Sequence, residues 1–97
     1  MNVGVCKVTL RLPENHSLKG KRRVIKSLCA RIRNKFNVAI AEVDDNDAWQ
    51  TATLGITCVS NSNRRVEQAL DKVVSYIDES REDVEVVQCE VEAMSGF

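Results

Sequence analysis

The chain has no long hydrophobic run. The longest purely apolar stretch is four residues, Val38 to Ala41, whereas a membrane-spanning helix needs about 20. It has no Cys-x-x-Cys pair among its four cysteines, Cys6, Cys29, Cys58 and Cys89, so zinc-ribbon and thioredoxin signatures are excluded. It has one proline, four glycines and one histidine. Aromatic residues are 4% of the chain, too few for an aromatic stacking platform. It has no net charge either, since 14 basic residues balance 14 acidic ones. The first ten residues lack a secretory apolar core and read as a strand, so a cytoplasmic address and reduced thiols are expected.

The 97 residues suit one small domain, residues 1–97. Hydrophobic content of 43% is that of a globular chain. Residues 2–12 alternate Cys6, Val8, Leu10 and Leu12 with Lys7, Thr9 and Arg11, which predicts a strand. Pro13 to Ser17 is a loop, and Ser17 is placed to cap a helix over 18–36. Ile25, Leu28, Cys29, Ile32 and Phe36 form that helix's apolar stripe. Val38 to Val43 predicts a short strand, broken by Asp44-Asp45-Asn46-Asp47. Residues 51–60 predict a third strand, with Ala52, Leu54, Ile56 and Cys58 inward. A second helix is expected over 64–79, with Val66, Ala69, Leu70, Val73 and Ile77 on one side. Residues 84–93 close with a strand whose Val87, Cys89 and Val91 point inward.

Strand–helix–strand–strand–helix–strand, with two helices for one sheet face, predicts an α+β fold: the ferredoxin-like split βαβ, sheet order 4-1-3-2. That topology gathers Asn15, His16, Ser17, Lys19 and Lys21 with Asp44, Asp45, Asp47 and Trp49 at one end, and places Asp78 to Asp83 there too. The inward cysteines read as small core residues; a metal held by all four is the sharper alternative. No cofactor is expected. His16 beside Ser17 lacks the further elements of a nucleophilic site, and Ser17 already has a role as a cap. The Asp44–Asp47 run lacks the Gly and terminal Glu of a calcium loop. Trp49 has two readings: a cap on the core, or an exposed attachment point for a partner, with His16 and Asp47 beside it.

Charge is distributed unevenly. Residues 1–43 carry net +8 and residues 44–97 net −8. Helical geometry lines Lys19, Arg22, Arg23, Lys26 and Arg33 along one flank of the first helix, with Lys21 nearby. Such a flank is either solvated and internally paired, or a surface for a polyanion. Six phosphates neutralised on single-stranded RNA would give a log–log salt slope near −4.

The run His16-Ser17-Leu18-Lys19 with Lys21-Arg22-Arg23, then Asn34 to Val43, then Asp47, Trp49-Gln50, Ala52 and Leu54-Gly55-Ile56, resembles the small bacterial YlxP-like family, a domain of unknown function. The resemblance covers nearly the whole chain. Gly20 departs from the family pattern, which has Glu between the two lysines. The resemblance implies a ferredoxin-like fold and no established enzymatic activity. Its members are commonly encoded beside translation-initiation and ribosome-assembly factors, which implies ribosomal RNA or a ribosomal subunit as partner. A homodimer or other homo-oligomer, as in metabolite-binding modules of the same fold, is the competing expectation. An enzyme of the acylphosphatase kind is disfavoured, because the Pro13–Ser17 loop has no Gly to cradle a phosphate.

Overall fold

The computed structural model describes residues 1–80 and 83–97. Its elements are β1 (Asn2–Arg11), α1 (Leu18–Lys35), β2 (Ala39–Asp44), β3 (Thr51–Ser60), α2 (Asn63–Ser80) and β4 (Glu85–Met94). The four strands form one sheet in the order β2-β3-β1-β4, with every neighbouring pair antiparallel. This is the expected ferredoxin-like arrangement, with each boundary within a residue or so of the sequence reading.

The period-two pattern of β1 sends Cys6, Val8 and Leu10 into the core at zero exposure. Across the ladder they face Ile56, Leu54 and Ala52 of β3. Ser17 caps α1 as predicted: the Gly20 N–H donates to Ser17 Oγ at 2.9 Å, satisfying one of the orphan donors of the first turn. Phe36 ends the helix with an N–H bond to the Ile32 carbonyl at 2.8 Å. Its ring meets Tyr76 of α2 edge-to-face, centroids 5.6 Å apart. One cluster joins Leu28 and Ile32 of α1 with Val66, Leu70, Val73 and Ile77 of α2 and the inward strand residues. Both helices therefore share one sheet face.

At Gly4 α2 lies tight against the sheet. A Cβ there would collide with Val66 Cγ1 and sit 2.8 Å from Leu70 Cδ1. Gly4→Val is expected to cost about 1–3 kcal/mol by overpacking, read as a lower urea midpoint with an unchanged slope. A variant as stable as the parent would show that α2 can step away from the sheet.

β4 departs from the expectation. Val87, Cys89 and Val91 do not enter the core: Val87 is 54% exposed, Val91 42%, and Cys89 is exposed. Cys89 and Val91 do lie on the core-facing side, opposite buried Val8 and Cys6, but Val86, not Val87, stands opposite buried Leu10. Cover is what is missing. α2 packs on β3, β1 and β4 alike, so it is centred over β1 and leaves the middle of the edge strand bare. Only Val86 and Ala93, toward the two ends of β4, pack against the core. A register shift opposite Thr9 and Leu10 leaves Val87 as a bulge.

Candidate nucleic-acid interface

The loops meet at one end, as the topology predicts. The Leu12 N–H donates to the Gln50 carbonyl at 2.8 Å. Asn15 Nδ2 donates to the carbonyls of Ser17 and Trp49, both at 2.6 Å. Gln50 Nε2 returns bonds to the carbonyls of Asn15 (3.0 Å) and Pro13 (3.2 Å). Two amide side chains thus stitch the β1–α1 loop to the start of β3. Gly20 belongs to this stitching: a Cβ there would strike Asn15 Oδ1, so the Glu of the family pattern would require Asn15 to move. Arg11 pairs with both Thr51 and Glu85, which brings the start of β4 to the same end. Of the acidic run expected there, Arg81 and Glu82 lie outside the described residues.

Trp49 is 57% exposed, so it does not cap the core. His16 and Asp47 are also exposed. Asn15 ties the backbone of Trp49 to that of Ser17, next to exposed His16.

Lys21 corrects the sequence reading. It is fully buried, not a surface cation. Its Nζ donates to the carbonyls of Asp45 (2.7 Å), Thr51 (3.2 Å) and Asn46 (3.3 Å). Glu42 Oε2, on a side chain 16% exposed, lies 2.9 Å away. An ammonium has three protons, and here it meets four acceptors. Glu42 Oε2 consequently receives no well-angled hydrogen bond, and its attraction to Lys21 is mainly Coulombic. Around this ammonium the hairpin loop turns back: Asp45 takes φ 60° and accepts from Thr53 Oγ1 at 2.6 Å. That bond explains why Thr53, on the open face of the sheet, is only 3% exposed.

The other predicted cations are on the surface. Lys19, Arg22, Arg23, Lys26 and Arg33 are all exposed. The ion pairs seen among the described residues, Lys7–Glu90 and Lys21–Glu42, do not involve these five cations. Arg33 donates to the Ile40 carbonyl at 2.7 Å, tying the last turn of α1 to β2. Between α1 and β2 runs a cleft of about 350 Å³. Arg22, Lys26 and Arg33 line it, over Ile25 and Cys29, with Glu42 at the inner wall. Burial pushes the Cys29 thiol up, Arg33 pulls it partly back and Glu42 adds to the rise.

The cysteines do not converge. Cys6, Cys29 and Cys58 are buried and apart, and Cys89 is exposed. Only Cys6 and Cys89 approach, Sγ to Sγ 3.9 Å. Burial, then the neighbouring Cys89, push the Cys6 thiol up to about 12. Among the described residues no three His, Cys, Asp or Glu side chains are grouped to hold a metal ion.

Fold and loop cluster define a ferredoxin-like α+β protein with a cationic helix flank on one side of the sheet. The family model described as "Protein of unknown function (DUF503)" matches residues 3–91, and the chain belongs to that family. The uncharacterised protein YlxP of Bacillus subtilis (strain 168) is 45% identical over 62 residues, which cover 64% of this chain and 67% of that protein. Among solved structures, an amidase of the hydantoinase/carbamoylase family from Burkholderia phymatum superposes with a TM-score of 0.51 at 14% identity. The match covers 97% of this chain and 28% of the amidase, so it speaks to the fold alone. No helix is long and apolar enough to cross a membrane among the described residues.

Proposed function

We propose that this protein is a non-enzymatic cytoplasmic module that binds RNA, with ribosomal RNA or a ribosomal subunit as the partner, through the exposed flank of α1. The observation that carries this reading is five exposed cations on one helix flank, none in an ion pair with another described residue. From Lys19 to Arg33 the flank runs about 21 Å at 1.5 Å per residue, enough to follow several phosphates. The N-terminal end of α1 adds the positive pole of its dipole. Recognition is of the backbone. Base stacking on the sheet needs aromatics on the central strands, and the open face there carries Val5, Lys7, Thr9, Gly55 and Thr57 instead.

With Lys21 buried, five phosphate contacts remain rather than six. At about 0.7 per contact on a single strand, the slope of log affinity against log salt is expected near −3.5. Fluorescence anisotropy with a single-stranded ribosomal RNA fragment, titrated at several KCl concentrations, measures it. Co-sedimentation with isolated subunits then ranks the partners. A slope near zero, or no binding at 50 mM KCl, would reject the reading.

A further inference from the structure

The opposite edge of the sheet carries a second surface. β4 has β1 as its neighbour on one side, and its outer edge pairs with no strand among the described residues. It is ten residues long, about 33 Å. Monomeric proteins usually blunt such an edge with Pro, charges such as Lys, a bulge or a short strand; the bulge of β4 lies at Val87, near its start, and the rest of the strand is regular. Glu85–Met94 contains neither Pro nor Lys, and its glutamates 90 and 92 lie on the open face, opposite Lys7 and Val5. On the helix side the edge presents a bare shelf of Cys89 and Val91, with exposed Val87 at the bulge beside them.

We propose that β4 is the seam of a homodimer, in which two copies pair their β4 strands antiparallel about a twofold axis through Cys89, joining two four-stranded sheets into one of eight. The sequence of the strand selects a second copy as the occupant and fixes the register. Val87-Gln88-Cys89-Glu90-Val91 reads alike in both directions about Cys89 except that Gln88 stands against Glu90. With the axis there, Cys89 meets Cys89, Val87 meets Val91, and Gln88 meets Glu90. No glutamate faces another glutamate in this stretch, an opposition that destabilises a ladder. One step along, an axis at Glu90 would set Glu90 against Glu90. An axis at Gln88 would set Val91 against Glu85. The register at Cys89 also merges the two bare shelves beside the α2 helices, so each copy covers what the other leaves exposed. The contact is isologous and closes at two copies. The β2 edge offers no equivalent: it is six residues long and Arg33 already occupies its Ile40 carbonyl.

The seam is tested by light scattering after size exclusion, combined with thiol trapping by diamide. A Cys6→Ala background removes the neighbouring thiol 3.9 Å from Cys89, leaving Cys89 as the exposed cysteine. Directly opposed strand residues have Cα atoms about 4.5–5.5 Å apart, within the range a disulfide spans. Diamide takes the two thiol hydrogens and their electrons, becoming the hydrazine, as the two Cys89 sulfurs join. The expected mass is twice the 10.9 kDa of the chain. A covalent dimer should form with diamide and disappear in Cys89→Ser. Val91→Glu should halve the mass while circular dichroism stays native. A 10.9 kDa species at millimolar concentration with no trapped dimer would overturn the proposal. So would a dimer that survives Val91→Glu and is not trapped through Cys89, since its seam would lie elsewhere. RNA affinity is not a readout here, because the cationic flank lies on the α1 side of the molecule.

Discussion

Replacing Lys21 by Met is expected to lower the free energy of unfolding by about 3–5 kcal/mol, the cost of breaking a buried ion pair from one side. A domain of this size has roughly 5–15 kcal/mol in total, so the variant stands near the threshold of folding. At about 4–8 °C per kcal/mol, the melting temperature should fall by more than 10 °C. The reason lies in what the ammonium holds. Three backbone carbonyls, of Asp45, Asn46 and Thr51, converge on Nζ from both ends of the hairpin loop. Met keeps the aliphatic stem but leaves these acceptors and the Glu42 carboxylate without their cation. Lys21→Met combined with Glu42→Leu separates the two contributions. If the uncompensated carboxylate dominates, the double variant regains most of the loss, as replaced buried ion pairs do. If the carbonyls dominate, it regains little. Urea melts of the four proteins read this directly, and a loss below about 1 kcal/mol for Lys21→Met would show that the loop does not depend on the ammonium.

The Lys21 role was available in the sequence, though not in its charge pattern. At about 100° per residue, Lys21 falls on the same arc of α1 as Leu28 and Ile32, away from Lys19 and Arg22. A lysine in an apolar stripe at the first turn needs acceptors. Those come from a loop 24 to 30 residues later, which no local pattern ties to it. The strands show the complementary limit. Alternation gives the facing of Cys89 and Val91, because the side-chain period is a local property, and fails at Val87, where the bulge sets Val86 opposite Leu10. It could not give burial, which depends on where α2 lies across the sheet, and α2 centres on β1. Trp49 likewise sits in a loop whose path is set by Asn15, Gln50 and the left-handed Asp45, so its 57% exposure was open until the loops were joined. The cationic flank was the legible part of the site: helical spacing alone places Lys19, Arg22, Arg23, Lys26 and Arg33 together, and each is exposed.

Reversing two charges on that flank should weaken RNA binding strongly without touching the fold. Arg22 and Lys26 are four residues apart, both exposed, and line the cleft beside β2. Neither makes an ion pair or hydrogen bond among the described residues that Glu would break. Surface substitutions of this kind usually stay within about 0.5 kcal/mol, so circular dichroism and the urea midpoint should hold. Affinity should not. Removing two phosphate contacts takes about 1.4 from the salt slope, worth roughly 25-fold near 0.1 M salt. Two new carboxylates repel the same phosphates, so Arg22→Glu with Lys26→Glu is expected to weaken binding on the order of 10²-fold or more and to flatten the slope from about −3.5 to about −2 or less. Replacing both by Gln instead should give the smaller loss with the same slope near −2, which separates lost attraction from added repulsion. The matched control is Arg64→Glu with Lys72→Glu on α2, away from the flank, where affinity should change little. If both pairs weaken binding equally, RNA responds to net charge and the flank has no special role; if the α1 pair alone does, the contact surface is the helix that the sequence singled out.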